Sequence, residues 1–279
     1  MSERSPVTAH NGFTLPSQGL GTYQLRGEAG ADAVRAGIES GYRLIDTAFN
    51  YENEGAVGWG IAGAAVERGE LVVTTKLAGR HHERARALVS IEESRLRLGL
   101  DAIDLVLIHW PNPRIDRYVE AWAALIESRD NGQVRQLGVS NFLPEHLERI
   151  EDATGVRPVV NQLEIHPYFP QEDALAYHRE RGIITEAWSP LGRAREVLDE
   201  PVIQDIAAAH GLTPAQAVLA WHSSRGVVAI PKSADPARQS ANLAAAEVRL
   251  RDDEIAAITA LGRADGRLFN ADPATHEEL

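Results

Sequence analysis

The chain contains no cysteine, one methionine and only two lysines, Lys76 and Lys232, among its 28 basic residues. The missing thiols exclude disulfides, thiolate nucleophiles and thiolate-ligated zinc. No apolar run approaches the ~18 residues that span a bilayer. The opening Met1-Ser2-Glu3-Arg4-Ser5-Pro6 lacks the apolar core of a signal peptide, and no Asn-x-Ser/Thr acceptor occurs. The last residues, Thr275-His276-Glu277-Glu278-Leu279, echo an endoplasmic-reticulum retention signal; with no secretory signal in front they read as a polar tail. A cytoplasmic protein is expected. Its net charge of −12 argues against a nucleic-acid partner, because phosphate binding needs a basic surface.

The scarcity of lysine is informative. The other 26 basic residues are Arg, so the chain uses guanidinium wherever a generic positive charge suffices. The two remaining lysines are candidates for places where a compact ammonium is required.

A length of 279 residues suits a single α/β barrel, and the pattern agrees. Apolar β-rich runs are expected as strands near Gln18–Thr22 and at Arg43–Asp46, Leu71–Lys76, Ile103–His109, Val134–Ser140, Val159–Leu163, Ile183–Trp188 and Val227–Ile230. Amphipathic stretches between them include Ala29–Ser40, Glu83–Leu98, Arg117–Arg129, Pro144–Ala153, Glu172–Arg181 and Pro214–Ser224. Strands apolar throughout are buried on both faces, and alternation with helices makes them parallel. Eight such units favour a closed (β/α)8 (TIM) barrel over an open sheet. Asn11-Gly12-Phe13-Thr14-Leu15-Pro16 resembles a β-hairpin plugging the barrel bottom; a helix at Asp252–Leu261 and the tail follow the last unit. No flexible linker interrupts the chain, so residues 1–279 are read as one domain.

Two glycine-rich stretches invite a dinucleotide-binding reading. Gly58-Trp59-Gly60-Ile61-Ala62-Gly63 matches G-x-G-x-x-G, but it lies within a helical stretch opened by Glu52–Glu54 rather than after a strand. Close helix packing is the alternative. Gly19-Leu20-Gly21-Thr22 follows a strand but lacks the third glycine.

The strand ends carry chemistry. The second strand ends in Asp46, the third in Lys76 and the fourth in His109, and Tyr51 lies in the loop after Asp46. Barrel active sites form at the C-terminal ends of strands, so these four groups should meet. Hydride reduction of a carbonyl leaves an alkoxide that needs a proton. A Tyr hydroxyl can give it, and a neighbouring ammonium lowers the Tyr pKa from about 10. Lys76, held by Asp46, fits that role, and a His donor would orient the carbonyl and stabilise developing charge. Taken singly, Asp46 reads equally as a helix cap, His109 as a structural histidine and Tyr51 as a surface aromatic; the combination is far more specific.

On these residues the chain resembles the aldo-keto reductase family. Gly41-Tyr42-Arg43-Leu44-Ile45-Asp46-Thr47-Ala48 with Tyr51-Glu52-Asn53-Glu54 is similar to its first signature, Asp104–Pro111 to its fourth-strand motif, and Ile230-Pro231-Lys232-Ser233 to its C-terminal signature. The match runs from about Val7 to Ala264 and most resembles the bacterial 2,5-diketogluconate reductase-like branch. It implies Tyr51 as general acid, Lys76 and Asp46 as its tuning pair, His109 as substrate orienter, and a monomer.

The resemblance also implies an NADPH site. Ser140, Asn141 and Gln162 would meet the nicotinamide carboxamide, and Trp188 would offer its ring a flat face where many members have Tyr. Gly21, Thr22, Ser189, Leu191, Gly192 and Ile230 complete the expected cofactor wall. Lys232, Ser233 and Arg238, at the start of a helix, form an anion site of the kind that takes an adenosine 2′-phosphate, with Gln239 and Asn242 beside the adenine; a solvated basic turn is the alternative. Tyr23, Phe49 and Trp110 would wall a pocket for aldehydes, ketones or dicarbonyls. The adjacent His81 and His82 read as a loop, and no metal site is expected. Two rival functions use the same fold: a Schiff-base lyase with Lys76 as nucleophile, and a non-catalytic NADPH-binding sensor.

Overall fold

The structure is a computed structural model that describes residues 6–194 and 196–278. It opens with a short antiparallel hairpin, β1 (Val7–Thr8) and β2 (Thr14–Leu15). Eight parallel strands follow in the order β3 (Leu20–Gly21), β4 (Leu44–Asp46), β5 (Val72–Leu77), β6 (Ile103–Ile108), β7 (Val134–Ser140), β8 (Val160–Glu164), β9 (Ile184–Trp188) and β10 (Val228–Ala229). Each pairs with the next in sequence, and bridges Gln18↔Ala229 and Gly21↔Lys232 join the last to the first. The sheet is a closed (β/α)8 barrel.

The helices are α1 (Gly27–Glu39), α2 (Glu54–Ala62), α3 (Arg84–Leu98), α4 (Tyr118–Asp130), α5 (Pro144–Thr154), α6 (Glu172–Arg181), α7 (Pro201–His210), α8 (Pro214–Ser224), α9 (Pro236–Ala245) and α10 (Asp252–Thr259). Two of them, α7 and α10, are additional to the β/α alternation. The second was expected from the sequence; α7 was not. No described helix is long and apolar enough to cross a membrane.

Alternation along the strands separates two cores. Outward residues such as Ile45, Val73, Val106, Ile108 and Val139 pack under the helices. Inward residues Leu44, Leu105, Val160, Ile184 and Val228 form an apolar layer with Leu15 of the hairpin, which closes the bottom. Higher in the interior the side chains turn polar: Asp46, Lys76, Gln162 and Glu186 are all buried there.

The stretch Gly58–Gly63 lies within and just after α2, as the helix-packing reading expected. A Cβ on Gly58 would fall 2.5 Å from the Leu98 carbonyl oxygen, and one on Gly60 2.6 Å from that of Ala31. These glycines let α2 press against the end of α3 and against α1.

Candidate active site

The upper end of the barrel opens into a cleft of about 630 Å³. Asp46, Tyr51 and His109 line its floor, with Tyr23 and Trp110 on one wall and Trp188, Ser189 and Leu191 on another. Gly21, Thr22, Ile230 and Lys232 carry it outward between β3 and β10.

Lys76 lies beneath the floor, 1% exposed. Its three N–H donors are used: Nζ gives hydrogen bonds to Asp46 Oδ1 at 2.6 Å, to Asp46 Oδ2 at 2.8 Å and to the Thr47 carbonyl at 3.0 Å. Burial opposes the charge on Lys76, but Asp46 and then Tyr51 outweigh it, and its pKa is raised. The ammonium lies 5.1 Å from the centre of the Tyr51 ring. Burial drives the Tyr51 phenol upward; the Lys76 charge pulls it down, Asp46 pushes it up, and the net direction is up. The ammonium alone predicted the opposite. Burial wins because the tyrosinate would be formed out of water.

Local chemistry holds Tyr51 in place. Asn53 donates to the Thr22 and Leu25 carbonyls at 2.7 and 2.9 Å and accepts from Thr47 Oγ1 at 2.8 Å. Glu54, buried at the start of α2, accepts from Thr75 Oγ1 at 2.6 Å and pairs with Arg97 at 2.8 Å. The Tyr51 loop is thereby tied to three strand ends. The His109 ring meets the Tyr51 ring edge-on at 6.1 Å.

A polar network continues across the barrel. Gln162 Nε2 donates to Asp46 Oδ2 at 2.9 Å and to Glu186 Oε2 at 2.7 Å. Burial, reinforced by the Asp46 charge, pushes Glu186 up to about 8 despite the Gln162 hydrogen bond and Lys76. Asn141 donates to the His109 carbonyl and to Ser140 Oγ, each at 3.0 Å, and accepts from Trp188 Nε1 at 2.8 Å. Ser140 in turn donates to the Gln162 carbonyl at 2.8 Å. The Trp188 ring is therefore fixed by its own N–H, and Ser140 stands behind the wall rather than in it.

Several expected residues lie elsewhere. Phe49 does not line the cleft: its ring is held between the guanidinium groups of Arg80 and Arg97, each 4.9 Å from its centre, and against His81. Gly192 and Ser233 are buried outside the lining, and Asn242 is half-buried outside it. Gln239 is fully buried, its Nε2 committed to the Ala33 and Ser233 carbonyls at 2.9 Å. Lys232 and Arg238 are exposed, and neither forms an ion pair among the described residues. Asp235, the N-cap of α9, accepts from the Arg238 backbone N–H at 2.8 Å. His82 is buried, and burial pushes its imidazole down to about 4.

Sequence reasoning missed four groups. Glu186 shares the inward face of β9 with Trp188, a placement that strand alternation could have revealed. Arg193 and Phe269 clasp each other across the cleft mouth, guanidinium to ring centre 4.0 Å. The fourth is Glu278: the tail reaches back over the barrel and brings its carboxylate to 2.7 Å from His109 Nδ1. Nothing in its sequence signals that contact.

Comparison with known proteins places the chain in a family. A model of the Aldo/keto reductase family matches residues 18–263. The chain is 50% identical over 273 residues to 2,5-diketo-D-gluconic acid reductase B of Corynebacterium sp. (strain SHS752001), covering 98% of each chain. It is 42% identical to methylglyoxal reductase DkgA of Escherichia coli (strain K12), again over 98% of each. The solved structure of a Gox0644 mutant in complex with NADPH superposes with a TM-score of 0.91 at 43% identity, covering 97% of this chain and 98% of that one. With the barrel and matches over nearly the whole chain, this protein belongs to the aldo/keto reductase family.

Proposed function

We propose that the protein is an NADPH-dependent reductase that converts aldehydes, ketones or dicarbonyls to alcohols. The convergence of Asp46, Tyr51 and His109 on the floor of one cleft, with Lys76 beneath them, carries this reading. The reductase names of the relatives and the NADPH complex of Gox0644 support it.

The cleft suits the cofactor. Gln162 points both its N–H groups at the carboxyl groups of Asp46 and Glu186, which leaves Oε1 to accept from a carboxamide N–H. Trp188 offers a flat face that its N–H bond to Asn141 holds still. Lys232, at the outer end, and Arg238 nearby supply cations for a phosphate. NADPH, when bound, supplies the hydride.

Tyr51 supplies the proton. Its raised pKa keeps the hydroxyl protonated at neutral pH, the form an acid needs. As the carbonyl oxygen gains charge, the O–H proton passes to it, and Lys76 stabilises the tyrosinate left behind. Asp46 holds Lys76 in place, and His109 donates toward the same oxygen. Tyr23 and Trp110 wall the carbonyl side of the pocket.

The test follows NADPH oxidation against a panel of small carbonyls with wild type and Tyr51→Phe. Wild-type turnover that falls about 10²- to 10⁴-fold in the variant, the usual range for a lost general acid, is the expected result. NADPH binding without turnover of any carbonyl would favour the sensor reading, and trapping of a substrate adduct on Lys76 by borohydride would favour the lyase. Neither binding nor turnover would sink the proposal.

A further inference from the structure

The tail is anchored at three points beside the site. His276 lies against Trp110 with ring centres 4.3 Å apart. Glu277 accepts from the Arg114 backbone N–H at 2.6 Å. The backbone of Glu278 is gripped at both ends by Asn112, whose Nδ2 donates to its carbonyl at 2.7 Å while Oδ1 accepts its N–H at 3.0 Å. Gly79 leaves room for this seat: a Cβ there would come within 2.4 Å of the Glu278 carbonyl oxygen and 2.3 Å of Asn112 Nδ2.

The carboxylate so delivered is fixed from three sides. Asn50 Nδ2 donates to Oε1 at 2.6 Å, and the Gly79 N–H donates to Oε2 at 2.9 Å. His109 Nδ1 stands 2.7 Å from Oε1. That nitrogen is shut away from solvent, with the Glu278 carboxylate against it. We propose that Glu278 is a positioning residue for His109, holding the imidazole with Nδ1 turned into the protein and Nε2 turned to the cleft.

A carboxylate only accepts, so at this separation a bare Nδ1 lone pair would repel it. The contact therefore calls for a hydrogen on Nδ1, and it leaves Nε2 as the ring nitrogen that faces the cleft. Burial works against the carboxylate charge, but His109 and the donors from Gly79 and Asn50 overcome it and hold Glu278 at about 2. The group is anionic throughout any practical assay.

The proposal rests on the reductase reading, so Tyr51→Phe is assayed beside Glu278→Gln and Glu278→Ala. Turnover of a small carbonyl is measured with and without added formate, and NADPH affinity is measured by tryptophan fluorescence. Both Glu278 variants should bind NADPH within about twofold of wild type yet lose about 10- to 100-fold in kcat/KM for the carbonyl, as when an orienting partner is removed. Formate should restore part of the rate to Glu278→Ala, where it can fill the space, and none to Glu278→Gln. Wild-type turnover that is lost in Tyr51→Phe but kept in both Glu278 variants overturns the positioning role alone. A loss that formate leaves untouched assigns Glu278 to seating the tail and also overturns it. A wild type with no turnover removes this inference together with the reductase reading.

Discussion

Raising the pH through the neutral range should weaken the fold through Glu186. This side chain is fully buried in the barrel, and burial with the nearby Asp46 charge lifts its carboxyl from 4.5 to about 8. The sign follows from proton counting. Between those two values the folded chain keeps the proton that the unfolded chain has released, so stability falls as pH rises. The slope for one such group approaches about 1.4 kcal/mol per pH unit and sums to about 5 kcal/mol once both states are ionised. Glu186→Gln is neutral in both states and keeps an amide oxygen to accept from Gln162. Urea unfolding of both proteins, followed by tryptophan fluorescence at about pH 5.5, 6.5 and 7.5, isolates this group, because the other titrations are shared and cancel in the difference. Relative to the variant, wild type should lose about 2–3 kcal/mol across that span. Parallel curves would show that Glu186 is ionised in the folded barrel and that no proton is retained there.

Three other outcomes are expected. Lys76→Met leaves Asp46 as a buried charge without its ammonium, which should remove about 3–5 kcal/mol of stability in urea unfolding; adding Asp46→Asn should recover much of it, because the unpaired charge goes too. Lys232→Met should weaken NADPH binding about tenfold at low salt and leave NADH binding nearly unchanged, as measured by fluorescence titration; equal losses for both cofactors would refute a phosphate contact at Lys232. Gly58→Val should lower the thermal midpoint by several degrees, equivalent to about 1–3 kcal/mol, because its Cβ meets backbone rather than a movable side chain.

Much of the barrel was legible because its strands are buried on both faces and read as apolar runs ending in polar residues. Reading the strand ends alone gathered Asp46, Lys76 and His109, which the closed barrel does bring together around Tyr51. What escaped depended on side-chain direction or on long-range contact. The ring of Phe49 sits two residues from Tyr51 but is claimed by Arg80 and Arg97, whose positions only the folded helices define. Gln239 lies in the right turn, yet its amide is spent on closing α9 against α1. Helix α7 buries only Ile203, Ile206 and Ala207, too short a stripe to stand out in the sequence. The direction of the Tyr51 shift could not be read from the ammonium alone, since it depends on how much water the fold removes. The tail contact of Glu278 joins residues 169 positions from His109, and no local pattern encodes it.

The two lysines do not carry equal weight. The scarcity of lysine suggested that both occupy places where a guanidinium would fail, and the structure supplies a reason for one. Lys76 is enclosed, and three acceptors converge on a single nitrogen: both oxygens of Asp46 and the Thr47 carbonyl. A planar guanidinium spreads its donors over three nitrogens and cannot meet three oxygens gathered around one point. Lys232 is exposed at the cleft rim, where an Arg would reach a phosphate at least as well. The same enclosure sets the charge balance of the interior. Asp46 and Lys76 cancel, so a third ionised group would leave a net charge out of water. The barrel avoids it by keeping Glu186 protonated, and the Gln162 amide that links the two carboxyls then faces one anion and one neutral acid. Lys76 is thus the one cation of a cluster that is neutral as a whole, with its charge placed beneath Tyr51, where negative charge appears when the proton leaves.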